Sequence, residues 1–157
     1  MSARLIMDSN PVRIHPQDTI GIAARKIMRR RYRNLPVVDD EQRFLGVVNV
    51  NDMLRLILPP QATSQSISAA VQRYQNLSIE DLRENMDQLL EHPIAPHIDK
   101  EVVTVAPETS LIETLLTMYH QEQNLPVVDP ETGKLEGMIA YYDIGDMLLQ
   151  GGYAQPL

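Results

Sequence analysis

At 157 residues with 43% hydrophobic side chains, the chain is long enough to fill one core, so a single compact domain or two closely joined halves is expected. Its formal charge of −7 at pH 7 opposes general attraction to nucleic-acid backbones or anionic membranes, and the absence of cysteine removes disulfides, thiolate nucleophiles and thiolate metal sites. With no Trp and one Phe there is little to stack single-stranded bases, and no apolar run approaches the ~20 residues that cross a bilayer.

In chain order, residues 12–14 form a short extended piece closed by Pro16. A helix is predicted from Thr19 to about Arg30, with Ile20, Ala23, Ala24, Ile27 and Met28 as its apolar stripe. Leu35 to Val38 reads as a buried strand, residues 39–43 as a turn, and Phe44 to Asn49 as a second strand. Asn51-Asp52 opens a helix that runs to Leu58, where Pro59-Pro60 stops it.

Residues 61–93 are expected to form a helical insert. Ile67, Ala70, Val71 and Tyr74 have helical spacing, and Ser78 caps a second helix whose Ile79, Leu82, Met86, Leu89 and Leu90 should point inward. From residue 94 the first pattern returns. Val103 to Val105 is extended, Ser110-Leu-Ile-Glu113 reads as a capping box, and Leu125-Pro-Val-Val128 as a strand. Asp129-Pro-Glu-Thr-Gly133 then makes a turn into a last strand and helix.

The return is a repeat, because Asn34-Leu-Pro-Val-Val-Asp39 recurs letter for letter as Asn124-Leu-Pro-Val-Val-Asp129. Pro16 and Pro107, Gly46 and Gly137, and Asp52 and Asp143 are each 91 apart, while Leu35 and Leu125 are 90 apart. Residues 1–60 are therefore one copy and 94–157 the other. A sheet this small cannot bury both faces alone, so the copies should pack around a pseudo-two-fold axis with a cleft between them.

With Leu35-Pro-Val-Val-Asp39 followed by Gly46-Val-Val-Asn-Val-Asn-Asp52, and Leu125-Pro-Val-Val-Asp129 followed by Gly137-Met-Ile-Ala-Tyr-Tyr-Asp143, the chain resembles tandem CBS domains, the Bateman pair of the cystathionine β-synthase domain family. That resemblance implies an α/β fold of two repeats, each a small mixed sheet with helices. It also implies a homodimer and clefts that take AMP, ADP, ATP or S-adenosylmethionine as regulatory ligands. In the family a Gly-x-x-Thr/Ser-x-x-Asp run ends the last strand, and its Asp holds the ribose hydroxyls. Asp52 and Asp143 match that Asp. A carboxylate can accept from both hydroxyls of a cis-diol, each bond worth roughly 1.5–3 kcal/mol. Adenine would then lie in an apolar slot of Val12, Ile14, Leu35, Pro36 and Val37 in one copy, or Val103, Val105, Leu125, Pro126 and Val127 in the other.

The Thr/Ser position is Asn49 in the first copy and Ala140 in the second. Asn49 can still donate and Ala140 cannot, so the site around Asn49 and Asp52 is expected to be the better one, with Tyr141-Tyr142 altering or blocking the other. Six of the fourteen basic residues fall at Arg25, Lys26, Arg29, Arg30, Arg31 and Arg33, making Arg31 and Arg33 candidate phosphate contacts beside a solvated helix end. Those basic residues could alternatively face Glu80, Asp81, Glu84 and Asp87 of a second subunit.

Capping of the following helix is the plain alternative role for Asp52 and Asp143. His92, His97 and Asp99 fit no standard metal spacing, and the chain carries no Gly-x-Ser-x-Gly, His-Glu-x-x-His or P-loop motif. No metal, no required cofactor and no catalysis are expected. The expectation is a cytoplasmic, ligand-sensing regulatory module acting on an effector protein, with a non-catalytic interaction scaffold of degenerate clefts as the alternative.

Overall fold

The computed structural model describes residues 1–30 and 32–149. The first repeat contributes α2 (Ile20–Arg30), β1 (Asn34–Val38), β2 (Phe44–Asn49) and α3 (Val50–Ile57), after a short N-terminal α1 (Ala3–Ile6). Helices α4 (Ile67–Tyr74) and α5 (Ile79–Leu89) follow, and the second repeat supplies α6 (Leu111–Gln121), β3 (Leu125–Val128), β4 (Leu135–Ile139) and α7 (Tyr141–Leu148).

Each repeat is built on an antiparallel pair in the same register, Leu35 opposite Val48 in one and Leu125 opposite Ile139 in the other. The turns share one device, an aspartate that accepts from backbone N–H groups ahead of it. Asp39 Oδ1 takes Glu41 N and Arg43 N at 2.9 Å, and Asp129 Oδ1 takes Glu131 N at 2.8 Å. A single parallel bridge widens each pair. Ile14 donates to Pro36 O at 3.0 Å and accepts from Val38 N at 2.9 Å, and Val105 does the same with Pro126 and Val128.

The other edge of each sheet is closed by the opposite repeat's lead-in. Asp8, ahead of the first repeat, exchanges backbone bonds with Met138 on β4, and Asp99, ahead of the second, exchanges them with Val47 on β2. Both pairs obey the 91-residue offset, so the crossing respects the pseudo-two-fold axis. It also sends Ala3 and Ile6 into the second repeat's core and Ile94 into the first's. A third cluster of Val38, Leu135 and Met138, with Phe44 and Val128 against it, seals the junction. The whole is an α/β pair of repeats around pseudo-two-fold symmetry with helices inserted between them.

Helix α2 buries Ile20, Ala23, Ala24 and Ile27, the i, i+3, i+4, i+7 stripe, while Met28 lies off it at 65% exposure. Its first N–H groups donate to His92 O and Leu90 O, which ties the end of α5 to the start of α2. Ser78 and Asp81 form a full capping box on α5, and Asn85 Nδ2 reaches Ile57 O at 3.1 Å. Met86 and Leu89 pack against the first core. The inward position expected of Ile79 is corrected, since it is 65% exposed, and on α4 the helically spaced Ile67 and Val71 are 83% and 61% exposed. Helix α4 touches the body too lightly for its apolar spacing to become burial. At Ser110 half of the expected box forms, its Oγ accepting from Glu113 N at 3.3 Å.

Candidate functional site

Because each lead-in crosses to the other sheet, one wall of the main cleft comes from each repeat. The first repeat supplies Pro11 and Val12 ahead of Ile14, the segment Tyr32-Arg33-Asn34, and Pro36 of β1. The second supplies Met138 at the end of β4, Ala140 and the first residues of α7, with Glu122 and Asn124 ahead of β3. Asp8 lies between them. The volume of the cleft is about 930 Å³, within the roughly 300–1,000 Å³ of small-molecule sites.

Strand alternation decides what faces this space. On β1, Asn34 and Pro36 line the cleft, whereas Leu35 and Val37 are fully buried in the first core with Ile14. In the second repeat Val105, Leu125 and Val127 likewise lie in the core, Pro126 is buried, and Val103 is 40% exposed beside a shallow depression on α6. Of the residues proposed for ligand contact, the cleft brings together Val12, Pro36, Arg33 and Asp143. Asn49 and Asp52 do not line it, and Arg31 lies outside the described residues.

Asp143 begins α7 with two duties. Its Oδ2 accepts from Ala140 N at 2.8 Å, the reach-back bond of a helix start, and the residue also lines the cleft. Partial burial pushes its pKa above the usual carboxylate value; the Ala140 N–H opposes this, and the Asp8 and Asp146 carboxylates add to it. At the equivalent position Asp52 instead pairs with Arg55 on its own helix at 3.2 Å, and Asn49 makes no side-chain cap bond. Tyr141 and Tyr142, expected to alter or block this site, are 55% and 81% exposed and line the cleft.

The basic cluster separates into different roles. Lys26 Nζ donates to Arg13 O at 3.1 Å, Arg25 and Arg29 are exposed on α2, and Arg33 lines the cleft. Its backbone is fixed there by Val50 N, which donates to Arg33 O at 2.8 Å. Among the described residues no three His, Cys, Asp or Glu side chains converge as a metal site, and no helix is long and apolar enough to cross a membrane.

Sequence reasoning passed over Asp8, Asn34, Glu122 and Asn124. Asn34 and Asn124 open the repeated hexapeptide, and Asp8 stands 91 residues before Asp99, so the repeat itself held their signal. Asn34 is 2% exposed, and its Oδ1 has no hydrogen-bond partner among the described residues.

The family model of the CBS domain matches residues 3–59 and 94–149. In sequence the chain is 26% identical over 137 residues to the inosine-5'-monophosphate dehydrogenase of Aquifex aeolicus (strain VF5), covering 86% of this chain and spanning only 22% of that protein's length. In structure it is similar to the CBS-pair protein CBSX2 from Arabidopsis thaliana, with a TM-score of 0.73, 19% identity and coverage of 95% of this chain and 94% of that one. A structure of CBSX2 in complex with AMP is similar at a TM-score of 0.68, again with 19% identity, covering 95% and 96%.

Proposed function

Starting from the fact that this chain belongs to the CBS-domain family, we propose that it is a ligand-sensing regulatory module whose inter-repeat cleft takes an adenosyl compound. The observation that carries this reading is one open space joining a carboxylate at a helix start, an apolar wall from the other repeat and a guanidinium, namely Asp143, Val12 with Pro36, and Arg33. Asp143 would accept from the ribose hydroxyls, the apolar wall would hold the base, and Arg33 would meet a phosphate. AMP in the similar CBSX2 supports the ligand class. Asn49 and Asp52, expected from sequence to form the better site, are the symmetry-related alternative.

The module would work as a homodimer and pass occupancy to an effector protein. Ile112, Leu116 and Tyr119, 64%, 50% and 71% exposed at i, i+4, i+7 on α6, form the apolar face we assign to the second copy. Thermal stability measured with AMP, ADP, ATP and S-adenosylmethionine tests the reading, since a site held at 100 times its Kd adds about 2.7 kcal/mol. Silence with all four ligands would overturn it. A scaffold with degenerate clefts is the second reading, favoured by Ala140 and by the exposed Ile67 and Val71 of α4. Limited proteolysis separates the two, because a partner-dependent insert is labile alone.

A further inference from the structure

We infer that this cleft, if it is the adenosyl site proposed above, selects ligands with no more than one phosphate group, and that Glu122 and Asp8 reject longer phosphate chains. Among the described side chains lining the space, three carboxylates, Asp8, Glu122 and Asp143, face a single cation, Arg33. One phosphate can be met by that guanidinium. Each further phosphate brings negative charge into a partly desolvated space where the surplus among the described side chains is already negative.

The positions of the carboxylates are also fixed. Asp8 is pinned by its backbone exchange with Met138 and by Asn10 N, which donates to its Oδ1 at 2.9 Å. Glu122 ends α6 in the left-handed conformation, φ 54, with its N–H bonded to Met118 O at 3.0 Å, which holds the side chain's origin at the rim. The first repeat has Tyr32 where the second has Glu122, 90 residues later, so this charge belongs to one copy only.

Affinities of adenosine, AMP, ADP and ATP for the full chain, measured by calorimetry in magnesium-free buffer, test the inference. AMP is expected to bind at least about fivefold more tightly than ADP, and ADP than ATP, with both ratios shrinking as salt is raised. Glu122→Gln and Asp8→Asn should each narrow the AMP to ATP ratio by several-fold, while Glu131→Gln on the exposed turn before β4 leaves it as it was. Equal binding of AMP and ATP by the unaltered chain, or ratios untouched in both cleft variants, would overturn the selection while leaving the adenosyl reading intact. No binding by any of the four would overturn the adenosyl reading and the selection with it.

Discussion

The backbone carbonyl of Asp99 stands where a side chain on Gly46 would have to begin, and the symmetry-related carbonyl of Asp8 stands 2.5 Å from the corresponding point on Gly137. These two contacts are where each lead-in crosses onto the opposite sheet. A Cβ at either glycine would push a backbone atom, which cannot swing aside as a side-chain tip can. Gly46 also has φ +150, outside the range L side chains favour. Gly46→Ala should therefore cost about 2–4 kcal/mol and Gly137→Ala about 1–3 kcal/mol of unfolding free energy. Gly145→Ala, a helical position with open space around it, should be neutral or stabilising by up to about 1 kcal/mol. Urea denaturation of the three variants checks the order, and a Gly46→Ala protein as stable as the parent would refute the crossing contact.

Leu35→Ala and Leu125→Ala should act on stability rather than on ligand contact. Both leucines are buried in their repeats' cores, at 0% and 1% exposure, and truncating such a side chain costs about 2–5 kcal/mol. Pro36→Ala, on the cleft side of the same strand, should weaken ligand binding while costing less stability. Denaturation midpoints and ligand titrations on the same preparations separate the two effects.

This contrast also marks how far the sequence was legible. The duplicated Leu-Pro-Val-Val run announced two strands and, through its spacing from Gly46 and Gly137, the matching order of elements within the two repeats. A run of four apolar residues has no polar partner to mark its faces, so the sequence could not say that Leu35 and Val37 look into the core while Pro36 looks into the cleft. The crossing was hidden for a different reason. Asp8 meets Met138 across almost the entire chain, and a backbone exchange between distant segments leaves no side-chain pattern to read. For the same reason Asp143 was grouped with Val103 and Leu125 of its own repeat, although its apolar wall comes from Val12 and Pro36 of the other. On α4 the helical spacing was legible and the burial was not, because amphipathic spacing specifies a face without specifying what covers it.

Asp143 should give the protein a distinctive pH response. Its pKa is raised in the fold by burial and by Asp8 and Asp146, so between the ordinary carboxylate value and the raised one the folded state binds a proton more readily than the unfolded chain. The ionised carboxylate therefore costs stability at neutral pH, and that cost is relieved as pH falls through the raised pKa. Asp143→Asn never carries the charge, so its stability relative to the parent should decline as pH is lowered through this window. A stability difference flat across pH 3 to 7 would refute the shift. Ligand binding should run the opposite way in the parent, weakening as pH falls through the raised pKa of Asp143, since a protonated Asp143 has lost an acceptor for the ribose diol.

The two ends of the pseudo-two-fold pair make the sharpest comparison. Sequence favoured Asp52, because Asn49 can donate where Ala140 cannot, whereas the open cleft and Arg33 lie at the Asp143 end. Asp52 is engaged by Arg55, an exposed pair of small net worth, so losing it should change stability by less than about 1 kcal/mol. Asp143→Ala should lose both the Ala140 contact and the diol acceptor, costing about 1 kcal/mol of stability and weakening AMP binding by at least about tenfold. Asp52→Ala should weaken AMP binding by less than about threefold if the Asp143 cleft is the occupied one. Titrating AMP into both variants decides between the ends, and a larger loss from Asp52→Ala would move the site to the Asn49 side of the axis.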